Sequence, residues 1–90
     1  MGRYATHAPG PISDTVPPRT AESLLRIAEI TRRNRQLLGM TQTDLGHRAR
    51  LPRSTISRIE NARHDPTLMT LCAIASALQI NVIDILGECT

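Results

Sequence analysis

Residues 51–66 read LPRSTISRIENARHDP. Set out at the helical repeat, Ile56 and Ile59 fall on one side. Ser54, Ser57, Arg58 and Asn61 recur at i, i+3, i+4 and i+7 on the other. Arg50, Arg53 and Arg63 stand in or beside the same stretch, and Glu60 is the acid within the helical pattern. Two isoleucines would anchor such a helix. Its outer side then offers hydroxyls, an amide and guanidinium groups, with no apolar side chain to dock on a partner. Those groups make hydrogen bonds and ion pairs; they suit recognition of a polar, negatively charged surface.

The charge distribution supports this reading. All 11 basic residues are arginine. Eight of them (Arg32, Arg33, Arg35, Arg48, Arg50, Arg53, Arg58, Arg63) lie between positions 32 and 63 with only Asp44 and Glu60 to oppose them, so this span carries +6 while the whole chain carries +3. A basic stripe of this kind is the electrostatic footprint of a polyanion binder. Arginine can donate two parallel hydrogen bonds to O6 and N7 of guanine, which makes Arg53 and Arg58 the candidates for reading a base. Ser54 and Ser57 can bond a base or a phosphate, and the Thr55 methyl can touch thymine or pack sideways. Arg48, Arg50 and Arg63 flank this face and suit phosphates, which supply affinity and salt sensitivity without sequence choice.

Catalysis has little support. His7, His47 and His64 share no metal-ligand spacing with cysteine or carboxylates. Cys72 and Cys89 have no framework spacing, and no Gly-rich phosphate loop or nucleophile motif occurs. The expectation is a non-enzyme with no cofactor and no metal. No apolar run is long enough for a membrane span, and the amino terminus lacks a secretory apolar segment. A cytoplasmic chain without disulfides is expected, nucleoid-associated when bound to DNA.

The elements that must position these groups are helical. Residues 1–20 hold four of the six prolines and no apolar periodicity, and read as a flexible arm ahead of a domain over 21–90. Disorder is the expectation for the arm, with Arg3 or Arg19 entering a minor groove as its alternative. Thr20 can cap a first helix over about 21–38, with Leu24, Ile27, Ala28 and Leu38 near one stripe that Thr31 and Asn34 weaken; Gly39 can end it. Thr41 with Asp44 forms a carboxylate capping box for a second helix whose Leu45 and Ala49 face inward. Gly46, costly in mid-helix, allows another helix to approach closely. The residue before Pro52 resists the helical region, so a third helix opens at Pro52 or Arg53 and ends near Asn61. Asp65 or Thr67 starts a fourth, with Pro66 acceptable in the first turn and Leu68, Leu71, Ile74, Ala75 and Leu78 as its core stripe. Cys72 beside that stripe reads as a small buried residue. Asn81 caps a short fifth helix with Val82, Ile85 and Leu86 inward. No strand-like alternation competes: the class is all-α, five helices joined by short loops.

Two short helices with a tight connection fit a helix-turn-helix at helices 2 and 3. The stretch GMTQTDLGHRARLPRSTISRIENARHDPTLMTLCAIASAL resembles the lambdoid phage repressor and Cro-like family, often called the XRE family. The marks are TQ at 41–42, Leu45, STISRIEN at 54–61 and Pro66, within a resemblance over roughly 24–86. It implies a lambda-repressor-like DNA-binding domain, in which Gln42 and Asn61 meet the DNA backbone. Arg53, Ser54 and Arg58 would reach base edges with Ser57 between them, and Arg35 and Glu60 would form a semi-buried pair. Ile56 and Ile59 match the core face. Three departures stand out: Arg50 and Ala62 occupy positions that usually carry glycine, and Gly46 stands where alanine is common.

The implied function is a sequence-specific regulator of transcription on double-stranded DNA, a repressor acting as a homodimer on a near-palindromic operator. The dimer surface is expected on the fourth and fifth helices and LGECT, with Ile80, Ile83 and Ile85 as its apolar groups. Two alternatives share the fold. One is an antitoxin that binds its operator and, through the arm or the C-terminal tail, a protein partner. The other is a protein-interaction module without DNA binding. No membrane partner is expected.

Overall fold

A computed structural model describes residues 20–86. Five helices make up this region: α1 (Ala21–Leu37), α2 (Gln42–Ala49), α3 (Arg53–Glu60), α4 (Leu68–Leu78) and α5 (Val82–Leu86). The readings of the arm over residues 1–19 and of the tail beyond Leu86 lie outside the described residues.

Threonines start three of the helices. The Thr20 hydroxyl accepts the Ser23 N–H at 3.1 Å, that of Thr41 accepts Asp44 N–H at 3.0 Å, and that of Thr67 accepts Thr70 N–H at 3.1 Å. Asp44 completes the capping box by accepting the Thr41 N–H at 2.9 Å. That backbone bond, the Thr41 hydroxyl, and then the charges of Arg48 and His47 hold the Asp44 carboxyl below the usual carboxylate range. At α5 the bond at the start comes from Asp84, whose carboxylate accepts the Asn81 N–H at 3.1 Å. Thr67, not Asp65, caps α4, so Pro66 stands outside the helix, fully buried.

The first four helices end alike. A left-handed residue follows each: Gly39 (φ 71°), Arg50 (φ 60°), Ala62 (φ 57°) and Gln79 (φ 63°). In every case the next N–H returns to a carbonyl five residues back: Met40 to Arg35, Leu51 to Gly46, Arg63 to Arg58 and Ile80 to Ala75, at 2.8–3.0 Å. This is the Schellman closure that glycine favours. Glycine occupies only the first of the four positions.

The core is built mainly of aliphatic side chains. Ile27 of α1, Leu45 of α2, Ile56 and Ile59 of α3, Leu71 and Ile74 of α4 and Ile85 of α5 are essentially without solvent contact. The predicted stripes therefore meet in one cluster, with three corrections. Leu38 is exposed because α1 stops at Leu37 and the chain reverses at Gly39; Met40 takes the buried place. Leu68 is 58% exposed and Cys72 is exposed as well. These two stand one turn apart on the outward line of α4, while Leu71, Ile74, Ala75 and Leu78 form its inward line. Thr31, which interrupts the α1 stripe in sequence, is nevertheless fully buried, and its hydroxyl has no hydrogen-bond partner among the described residues.

Candidate nucleic-acid interface

Three residues, Arg50, Leu51 and Pro52, join α2 to α3. The connection is tight because Gly46 lets it be. A Cβ built at that position would lie 2.7 Å from the Leu51 carbonyl oxygen and 3.5 Å from the Arg53 nitrogen. What approaches Gly46 is thus the backbone of the turn together with that of Arg53, the first residue of α3. Arg50 takes the left-handed conformation that its departure from glycine implies, and so does Ala62 after α3.

Helix α3 has no side-chain cap. Pro52 stands at its N-cap, and the Pro52 carbonyl accepts from Thr55 and Ile56 at 3.0 and 3.3 Å. Ile56 and Ile59 are buried, which fixes the rotation of the helix. Arg53, Ser54 and Arg58 are consequently exposed, with Ser57 and Thr55 half-buried beside them. Arg48, Arg50 and Arg63 are also exposed, on α2, on the turn and after α3.

The inner edge of this surface is organised by Glu60. Arg35 reaches it with both prongs: Nε donates to Oε2 at 2.7 Å and Nη2 donates to Oε1 at 3.0 Å. Arg35 Nη1 donates to the Met40 carbonyl at 2.8 Å. The side chains are only 12% and 3% exposed, so the implied pair is a buried, bidentate clamp. Gln42 joins it, donating Nε2 to Glu60 Oε1 at 3.1 Å. Asn61 turns back on its own helix, donating Nδ2 to the Ser57 carbonyl at 2.8 Å and standing 3.4 Å from the Ser57 hydroxyl. The structure therefore groups Arg35, Gln42 and Glu60 in one cluster and Ser57 with Asn61 in another.

One residue escapes the sequence reading. Arg32 donates Nη1 to the Glu60 carbonyl at 3.1 Å. Its spacing of three from Arg35 on one helix was the available signal. Of the eight arginines of the central span, Arg35 is thus turned inward onto Glu60, and Arg33, though exposed, stands 4.0 Å from Glu29. Five exposed arginines, at 48, 50, 53, 58 and 63, remain around α3. Among the described residues no group of three or more His, Cys, Asp or Glu side chains is placed to hold a metal, and no helix is long and apolar enough to cross a membrane.

Comparison with known proteins agrees with this geometry. The helix-turn-helix family profile matches residues 32–85. The immunity repressor protein of Bacillus phage phi105 is 47% identical over 49 residues, which cover 54% of this chain and 34% of the phage protein. The chain thus spans about a third of that relative's length. Among solved structures, the restriction-modification controller protein C.AhdI from Aeromonas hydrophila superposes with a TM-score of 0.69 over 73% of this chain and 98% of its own, at 24% identity. The restriction-modification controller protein C.Esp1396I gives a TM-score of 0.64 at 29% identity over 70% of this chain and 85% of its own.

Proposed function

The chain belongs to the helix-turn-helix family, and from that membership we propose that it is a sequence-specific regulator of transcription that binds double-stranded DNA. It acts as a repressor, as a homodimer on a near-palindromic operator. The observation that carries this reading is the division of α3. Ile56 and Ile59 hold one side in the core while Arg53, Ser54 and Arg58 stand exposed on the other. A helix so anchored presents guanidinium and hydroxyl groups to the major groove. The phage relative is an immunity repressor, which supports the same direction of control.

Arg53 and Arg58 read guanine, with Ser54 and Ser57 adding contacts to bases between them. Gln42, Arg48, Arg50, Asn61 and Arg63 meet the phosphates. Gln42 serves while still bonded to Glu60, because its amide nitrogen carries two hydrogens and that bond uses one. The dimer surface moves slightly from the sequence expectation. Ile85 is fully buried and Ile80 half-buried, so neither offers a docking side chain. Ile83 on α5, with Leu68 and Met69 on α4, is exposed and takes that part. A dimer places two recognition helices about one DNA turn, ~34 Å, apart.

Selection from random duplexes, followed by mobility shifts in rising salt, tests the reading. A binder enriches a near-palindrome and loses affinity steeply as salt rises. Arg58→Ala flattens preference at one base position, whereas Arg63→Ala weakens all duplexes alike and reduces the salt slope by about 1. A chain that grips no duplex at low ionic strength, or sediments only as a monomer at tens of micromolar, overturns the respective part.

A further inference from the structure

We propose that Arg32 is a positioning residue for α3: a C-terminal cap, supplied by α1, that holds the reading helix without itself touching DNA. The inference rests on the DNA-binding reading above. A helix leaves its last four carbonyls without intrahelical partners. In α3 these belong to Ser57, Arg58, Ile59 and Glu60. The first three are satisfied locally. Ser57 accepts from the Asn61 backbone at 3.0 Å and its amide at 2.8 Å, Arg58 from Arg63 at 2.8 Å, and Ile59 from Ala62 at 3.1 Å. The fourth, Glu60, accepts from Arg32 Nη1 at 3.1 Å. A guanidinium there also sits at the negative end of the helix dipole.

Arg35, one turn further along α1, holds the carboxylate of the same Glu60. The last residue of α3 is thus gripped by its backbone and by its side chain, both from α1. At the other end, Pro52 provides no side-chain cap, and position is set by the short turn lying against Gly46. If the C-terminal grip is loosened, α3 pivots about that turn, and displacement grows along its length of about 12 Å. Arg53 sits at the pivot. Arg58, about 7.5 Å further along the axis, moves most.

The test compares the wild-type full chain with Arg32→Met on the duplex enriched by selection and on its single-base variants. At the base position that Arg58→Ala flattens, discrimination falls by about threefold or more, part of the roughly 5- to 150-fold that an intact Arg–guanine pair supplies. At the position read by Arg53 it stays within about twofold, and the slope of affinity against salt keeps its wild-type value. A slope shallower by about 1 with discrimination intact overturns the proposal, because Arg32 is then a phosphate ligand. Unchanged discrimination with an unchanged slope overturns it too. Thermal melting verifies folding, and Arg32→Gln repeats the comparison should the methionine variant aggregate. A wild-type chain that binds no duplex refutes the DNA-binding reading instead, so the two failures are distinct.

Discussion

Replacing Gly46 with alanine sets two effects of similar size against each other. Helix propensity favours the change by about 0.8–1.0 kcal/mol, since glycine is poor in a helix interior. Space opposes it. The added Cβ would stand 2.7 Å from the Leu51 carbonyl oxygen, with the Arg53 nitrogen at 3.5 Å and its Cα at 3.7 Å. Carbon–oxygen contacts ordinarily begin at about 3.3 Å, so roughly 0.6 Å must be given up. The obstacle is main chain, not the tip of a mobile side chain. It is also tied in place, since the Leu51 N–H donates to the Gly46 carbonyl at 2.9 Å across a left-handed Arg50. One extra methyl forced into a tight site costs about 1–3 kcal/mol. The clash wins, for a net loss of about 1 kcal/mol and a Tm lower by about 4–8 °C in a domain of this size. Arg53 follows the turn, so duplex affinity falls with stability. Melting followed by far-UV circular dichroism, with mobility shifts on the same preparation, reads both effects. An alanine variant that melts above wild type and binds DNA unchanged would refute the argument that Gly46 is required by the turn.

Thr31→Val, nearly isosteric, removes a buried hydroxyl that has no partner among the described residues and should stabilise the domain by about 1 kcal/mol in a denaturant titration. Ala62→Gly relieves left-handed strain of about 1–2 kcal/mol and loses about 0.4–1 kcal/mol to the freer unfolded chain, so its Tm should rise by a few degrees. Glu60→Ala leaves the nearly buried Arg35 guanidinium without its carboxylate and should cost about 3 kcal/mol, whereas the double substitution Arg35→Met with Glu60→Leu should cost clearly less. Asp44 has a depressed folded pKa, so its contribution is present above the ordinary aspartate value of about 3.9 and disappears as pH falls through its lower folded value. Melting of wild type and Asp44→Asn from neutral to acid pH should therefore show a Tm gap that closes only below about pH 4.

What was legible in the sequence was mostly local. Thr20 and Thr41 announce their helices because a hydroxyl just before an apolar pattern has an N–H within reach three residues on. Ile56 and Ile59 set the rotation of α3, and thereby the outward place of Arg53, Ser54 and Arg58, because helical spacing alone decides which residues share a side. The errors come from positions where the helical pattern continues past the helix or onto its other side. Leu38 extends the α1 stripe in sequence, but the helix has already closed at Leu37. Leu68 and Cys72 look apolar enough for a core, yet they lie on the line of α4 that faces away from it. The long-range partners of Glu60 were legible only in part. The resemblance implies Arg35, and the spacing of three sets Arg32 beside it on α1, but nothing in spacing reveals that Gln42 converges on the same residue from 18 positions away.

That convergence governs how the domain comes apart. Glu60 binds α1 through Arg32 and Arg35 and α2 through Gln42, so α3 cannot detach while either neighbour stays intact without stranding a nearly buried carboxylate. Partial opening is thereby penalised, so the scaffold and α3 should exchange their amide hydrogens as one cooperative unit. A domain built this way is expected to pass between its folded and open states in a single step.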